Sequence, residues 1–392
     1  MKNKYPLTSD TWGSEELAAI KDIMESNQYT MGKEVKKFEI DFAEYFKTKY
    51  AVMVNSGSSA NLLAVASLFY KKDNFLKRGD EVIVPAISWS TTYYPLQQYG
   101  LKLKFVDIDK ETLNIKLSSL EKAITSKTKL IFAVNVLGNS NEFEEINRMI
   151  EKKNIILLED NCESLGAKYK ERYTGTFGLM GTNSFFFSHH ISTMEGGMIT
   201  TDDEELYQIL LSLRAHGWTR NLPKTNHITG TKSKFPFEES FKFVLPGYNL
   251  RPLEFSGKIG QSQLKKLDGF IDNRRSNADH FHSLASKKSY VIVQKEIGES
   301  SWFGFSLILN PIIKTTRRTL IQQLEKAGIQ TRPIISGNFT NNRVIDYFDY
   351  TIFDNLDNAN LVDQYGFFVG NHHYDIKDKI DYLFYLLDKT LQ

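Results

Sequence analysis

The sequence predicts an α/β protein: a mainly parallel central sheet flanked by helices, then a smaller C-terminal α/β unit. Two observations predict it. Short β-type apolar runs alternate with helical patterns through the first two-thirds of the chain, and a second strand-and-helix series begins near residue 285. Strands separated by helices are joined by crossovers, which makes them parallel and covers both faces of their sheet.

In chain order, "YAVMV" (Tyr50–Val54) reads as a buried strand. A turn through Gly57 then opens the apolar helix of "SSANLLAVASLFY". "EVIVPA" (Glu81–Ala86), "LKFVDI" (Leu103–Ile108), "KLIFAVNV" (Lys129–Val136) and "NIILLED" (Asn154–Asp160) are further β-type runs, mostly with helical patterns between them. "DEELYQILLSLR" places Leu206, Ile209, Leu210 and Leu213 at i, i+3, i+4 and i+7, with acids in its first turn. The polar, turn-rich stretch from Asn221 to Glu239 reads as an exposed excursion. "SWFGFSLIL" (Ser301–Leu309) is β-type, and "TTRRTLIQQLEKAG" sets Leu320, Leu324 and Ala327 on one helical face before Gly328, a C′ position. The expected division is a large domain with an N-terminal arm over 1–250, and linking helices with a small domain over 251–392.

Composition narrows the function classes. At 392 residues the chain has room for a large and a small domain. A formal net charge of +2 without a Lys/Arg-rich block gives no bulk attraction to nucleic acid or an anionic membrane. The first residues lack the apolar core of a secretory signal, and no window approaches the roughly 18 apolar residues of a membrane-spanning helix. With a single cysteine, Cys162, these features set the expectation of a reducing cytoplasm. One cysteine makes no internal disulfide, Cys-rich zinc site or all-cysteine iron–sulfur cluster.

Parallel sheets bind ligands at the C-terminal ends of their strands, and four features fall there. Asp160 ends an apolar strand, where a buried carboxylate can pair with a cationic ring nitrogen; a loop-facing acid or a helix cap fits the same pattern. Gly57 and Ser58, in "NSGSSAN", follow a strand and open a helix, so their N–H groups and hydroxyl can form a phosphate cup, although a plain capped turn has the same signature. Trp89 follows "PAIS" at a strand end and can stack on a flat ring or fill the core. In "SFFFSHHIS", His189 and His190 occupy a strand-like run in which neighbours point to opposite faces. They therefore do not chelate one metal together, and no spaced histidine or acid cluster accompanies them, so no metal site is expected. One can face a crevice while the other packs; a structural histidine and a proton-moving base both remain open.

As an ordered set, "NSGSSAN", "PAISW", the strand ending in Asp160, "SFFFS", "EGGMITTDD", "RAHG" and "GYNLRPLE" resemble the sugar aminotransferase family of pyridoxal-phosphate enzymes, from the N-terminal arm to the C-terminal small domain. The resemblance implies the aspartate-aminotransferase (type I) fold. It assigns Asp160 to the pyridinium nitrogen, Glu163 to the ring hydroxyl, Trp89 to stacking on the ring, and Gly57, Ser58 and Ser184 to the phosphate. Asn249 would reach the phosphate of a neighbouring subunit in a homodimer with shared active sites. His216, Arg251 and Arg332 are assigned to substrate or glutamate contact.

One departure redirects the activity. Where aminotransferases of this family carry the lysine that binds the cofactor covalently, five residues after Ser184, this chain has His189, and no lysine occurs from Thr174 through Arg220. The chain is therefore more similar to the dehydratase branch of the family. That branch implies noncovalently held pyridoxal 5′-phosphate and pyridoxamine 5′-phosphate, glutamate as amino donor, and loss of the C3 hydroxyl of GDP-4-keto-6-deoxymannose, with release of 2-oxoglutarate and ammonia. His189, with an ordinary pKa of about 6.5, would be the base. An aminotransferase would need the missing lysine, and a CDP-sugar dehydratase would need a cysteine-ligated iron–sulfur cluster. A non-catalytic sugar-binding relative would have no reason to keep Asp160, the phosphate cup and His189 together.

Overall fold

The computed structural model describes residues 4–73 and 76–391. The early β-type runs form β1 (Tyr50–Val54), β2 (Glu81–Pro85), β3 (Lys102–Val106), β4 (Thr128–Val134) and β5 (Ile156–Asp160), followed by β6 (Met180–Ser184) and β7 (Gly197–Thr201). The C-terminal part adds β8 (Val291–Val293), β9 (Gly304–Leu309), β10 (Thr331–Arg332), β11 (Tyr350–Ile352) and β12 (Gly366–Gly370). The large sheet has the order β1-β7-β6-β5-β4-β2-β3-β11, and the small sheet β8-β9-β12-β10. In the large sheet only β7 runs against its neighbours; the remaining pairs are parallel. The C-terminal ends of β1, β2, β5 and β6 consequently open on one edge.

β6 and β7 carry no hydrophobic-run signal. β6 reads "MGTNS", yet all its residues are buried. Its polar groups are matched instead: Thr182 Oγ1 donates to Asn61 Oδ1 at 2.6 Å, and Asn183 Oδ1 accepts from Asn161 Nδ2 at 2.9 Å. Buried polar side chains are tolerated on such terms.

The helix Gly57–Leu68 starts at Ser56, whose hydroxyl accepts from the Ser59 N–H. It is apolar on nearly every side because it lies between the sheet and other helices, and each fully buried Leu or Val contributes about 1.5–3 kcal/mol. The helix Arg317–Lys326 ends as its sequence indicates, with Gly328 at φ 86°.

The small sheet packs on a second core that includes Phe281, Phe305, Phe367 and, from the far end of the chain, Tyr5. Tyr5 pairs with Ile329, and its hydroxyl donates to Gly370 O at 2.8 Å. A Cβ on Gly370 would lie 2.4 Å from Leu7 O, so glycine is what lets this N-terminal strap lie flat on β12. β11 leaves the C-terminal portion to pair with β3, so residues beyond 250 also complete the large sheet. Asn221–Glu239 holds a short hairpin and the helix Pro236–Glu239, flanked by exposed Phe235, Phe237, Phe241 and Phe243. No helix among the described residues is long and apolar enough to cross a membrane.

Candidate active site

A cavity opens at the C-terminal ends of the large sheet, closed on its far side by the small sheet and the N-terminal strap. Its lining includes Gly57, Ser58, Trp89, Asp160, Glu163, Ser184, His189 and Arg332. These eight sequence-selected residues come from five stretches of chain; seven meet because strands of the large sheet end on the same edge, and Arg332 is brought in by the small sheet.

Asp160 is held from three sides. Its Oδ2 accepts from Asn61 Nδ2 at 2.8 Å and Thr92 Oγ1 at 2.6 Å, and its Oδ1 accepts from the Cys162 N–H at 3.1 Å. Thr182 fixes the Asn61 amide so that its NH₂ faces the carboxylate. Because Thr92 gives its proton to Asp160, Ser88 Oγ must donate to Thr92 Oγ1, at 2.7 Å. The result is a fixed negative charge on the cavity floor. Neither Asn61 nor Thr92 was selected from sequence; an asparagine inside an otherwise apolar helix was the available signal.

Glu163 lies beside it, its Oε2 accepting from the Leu137 N–H at 3.1 Å. Burial pushes this carboxyl up to about 7, with the Leu137 hydrogen bond opposing the rise and the Asp160 charge adding to it. Glu163 can therefore hold or release a proton near neutral pH.

The Gly57 turn is close-packed. A Cβ there would sit 2.6 Å from Ser184 Cβ and 3.1 Å from Cys162 Sγ. Ser58 Oγ and Thr91 Oγ1 lie 2.9 Å apart at the neighbouring helix start, giving a ring of small hydroxyls and free N–H groups suited to a phosphate. Trp89 is not a core residue: it is 59% exposed and caps the helix Ser90–Gln98 at the cavity rim.

The histidine pair lies in a turn, not in the strand-like run expected from sequence, with the His189 N–H bonded to Phe186 O at 2.9 Å. The two rings still diverge. His190 is fully buried, and its Nε2 lies 3.1 Å from Ser301 O, which can only accept. Nε2–H is thereby committed to a structural bond. His189 lines the cavity, packed edge-on between Phe186 and Phe303, and its Nδ1 is buried without a partner. Burial, reinforced by the Arg274 charge, pushes its pKa down to about 4, so the imidazole is neutral at pH 7 and able to accept a proton. Among the described residues no lysine lines this cavity, and no group of three or more His, Cys, Asp or Glu side chains could hold a metal ion.

Three selected residues do not line it. Asn249 is exposed and accepts from Arg251 Nε at 2.9 Å, and Arg251 lies over the Trp218 ring. The His216 ring packs on Trp218 as well. Sequence reasoning missed the opposite wall: Leu7, Thr8 and Ser9 of the strap, Arg274, Phe303, Phe368 and Asn371. No local pattern marks them, because they are brought in by the second core.

The model of the DegT/DnrJ/EryC1/StrS aminotransferase family matches residues 10–360. A GDP-4-keto-6-deoxy-D-mannose 3-dehydratase from Yersinia pseudotuberculosis is 60% identical over 386 residues, covering 98% of either chain. The structure is similar to that of E. coli GDP-4-keto-6-deoxy-D-mannose-3-dehydratase with bound hydrated PLP, at TM-score 0.98 and 58% identity, covering 99% of this chain and 100% of that one. It is also similar to a GDP-4-keto-6-deoxymannose-3-dehydratase with a trapped PLP-glutamate geminal diamine, at TM-score 0.97 and 59% identity, covering 98% of this chain and 100% of that one.

Proposed function

The chain belongs to the DegT/DnrJ/EryC1/StrS aminotransferase family, and from that premise we propose that it deoxygenates C3 of GDP-4-keto-6-deoxy-D-mannose to give GDP-4-keto-3,6-dideoxy-D-mannose. Glutamate supplies the two electrons. The C3–O bond breaks, a C3–H bond forms, and glutamate leaves as 2-oxoglutarate and ammonia. The product is of the kind used for dideoxy sugars of the colitose type in surface polysaccharide.

The cavity fits pyridoxal phosphate on its own chemistry. It offers a buried carboxylate, a small-residue cup that a Cβ on Gly57 would obstruct, an exposed indole and the His189 imidazole on its wall. When bound, the cofactor supplies an electron-poor ring that carries an amino group and relays electrons to the sugar. Asp160 holds a proton on the ring nitrogen. Glu163 exchanges a proton with the ring hydroxyl. Gly57, Ser58 and Ser184 bind the phosphate, and Trp89 covers the ring and excludes water.

His189 takes the proton from the cofactor's C4′ carbon, the task for which a neutral imidazole at the cavity wall is suited. It cannot tether the cofactor as lysine does. Release of the deoxygenated sugar therefore falls to water, which is why ammonia leaves and no amino sugar accumulates. His189 on the cavity wall, with no lysine beside it, is the observation that carries this reading.

Arg332 lines the cavity and is assigned to substrate or glutamate. In a homodimer with shared active sites the exposed Asn249 would reach the phosphate of the neighbouring subunit, and His216 and Arg251, which lie off this cavity, would contact substrate or glutamate from that side. The chain divides near residue 250, and the enzyme works in the cytoplasm. The test is incubation with GDP-4-keto-6-deoxymannose, pyridoxal phosphate and glutamate. Equal amounts of ammonia, 2-oxoglutarate and deoxygenated sugar are expected. An accumulating 4-amino sugar, or no 2-oxoglutarate, would overturn the reading.

A further inference from the structure

The N-terminal strap places Ser9 against the cavity, and a directed hydrogen-bond chain fixes what its hydroxyl can do there. His372 is fully buried in the second core. Its Nε2 lies 2.9 Å from Pro6 O, and its Nδ1 lies 2.9 Å from Ser9 Oγ. A backbone carbonyl only accepts, so Nε2 carries the ring proton. Burial and the nearby Arg274 charge keep the ring neutral at pH 7, its pKa pushed down to about 4. Nδ1 is then an acceptor, and the Ser9 hydroxyl must donate to it.

The single proton of Ser9 is thereby spent inside the protein. Among the described residues the one other group on Ser9 Oγ is His373 Nδ1 at 3.4 Å, a long contact that occupies at most one lone pair. Ser9 lines the cavity, and its Oγ has a lone pair and no donor left to offer a ligand there. Such a group recognises a donating hydroxyl.

This step rests on the proposed substrate. Its hexose has two free hydroxyls, at C2 and C3; C1 carries the nucleotide, C4 is a ketone, the C5 oxygen closes the ring and C6 is a methyl. The C3 hydroxyl must be protonated to leave, and an acceptor does not assist that. We propose that Ser9, oriented by the positioning residue His372, accepts a hydrogen bond from the C2 hydroxyl of the sugar and selects for substrates that have it.

The experiment compares GDP-4-keto-6-deoxymannose with its 2-deoxy counterpart by calorimetry. It uses the pyridoxal-loaded enzyme without glutamate, so that binding is not followed by turnover. Wild type is expected to bind the 2-hydroxy sugar about fivefold to tenfold more tightly, the value of one hydrogen bond. Ser9→Ala is expected to bind both sugars equally, at the wild-type affinity for the 2-deoxy sugar, because the cycle isolates the pair. Its glutamate half-reaction, followed by cofactor absorbance, stays at the wild-type rate. Full 2-hydroxy preference in Ser9→Ala, or a half-reaction that falls together with sugar affinity, would overturn the proposal. A wild-type enzyme that neither binds nor converts the GDP sugar fails one stage earlier, and the substrate assignment falls with the role of Ser9.

Discussion

The floor and the far wall of the cavity are built in different ways. On the floor Asp160 is bonded by Asn61, Thr92 and the Cys162 N–H, and Thr182 in turn fixes Asn61. These partners stand on one sheet and its adjoining helices, and the carboxylate is locked before any ligand arrives. On the wall the His189 ring lies edge-on between Phe186 and Phe303 and Ser9 keeps a free lone pair, while Arg332 comes from the small sheet. The wall is assembled from a strap, a second core and a turn. The difference teaches a division of labour: the rigid floor suits a cofactor that stays, and the open valences of the wall suit a substrate that changes.

The comparison breaks most severely at Asp160. Asp160→Ala should slow the glutamate half-reaction by on the order of 10²- to 10³-fold, the usual cost of losing an oriented charge. It should also destabilise the fold by about 1–3 kcal/mol, because the Asn61 and Thr92 donors lose their acceptor. Stopped-flow absorbance and thermal melting check the two effects. If only sugar turnover suffers, the floor is not the cofactor's.

Gly57→Ala comes next. Its Cβ would lie 2.6 Å from Ser184 Cβ, so the cup must open or the phosphate must shift. Overpacking of this kind costs about 1–3 kcal/mol, and cofactor affinity in a dialysis titration should fall by about tenfold or more. Unchanged affinity would remove the phosphate from this turn.

The smallest effect is in pH. Folding holds His189 and His372, both on the wall side, down at about 4, against roughly 6.5 in the unfolded chain. Both are neutral in the fold. Their contribution to stability is complete above about pH 6.5 and is lost as pH falls toward 4, because the unfolded state takes up protons first. The melting temperature should decline over that window, and His372→Gln should make the decline shallower. An identical slope in the variant would contradict the assignment for His372.

The same division decides what could be read from sequence. β1 to β5 were legible because apolar runs between helices leave few alternatives, and Gly57, Trp89 and Asp160 were legible because they follow those runs directly. β6 was not: its burial is balanced by side-chain amides and hydroxyls, which leave no hydrophobic period. Apart from His189 and Arg332, the wall was illegible for a topological reason. Ser9 lies 363 residues from its partner His372, and Tyr5 enters a core made from the other end of the chain. Local patterns carry no trace of such a pairing. His189 could be preferred to His190 only by counting from Ser184, whereas the structure separates the two by their partners.

The central claim is that His189, and not its neighbour, moves the proton that starts deoxygenation. The direct measurement is single-turnover formation of GDP-4-keto-3,6-dideoxymannose by the pyridoxamine-loaded His189→Asn and His190→Gln variants, with melting curves to verify that both fold. The account predicts that His189→Asn binds cofactor normally but loses product formation by about 10²- to 10⁴-fold, while folded His190→Gln, which retains a donor toward Ser301 O, stays near the wild-type rate. Normal turnover in His189→Asn, with loss in a folded His190→Gln, would contradict it.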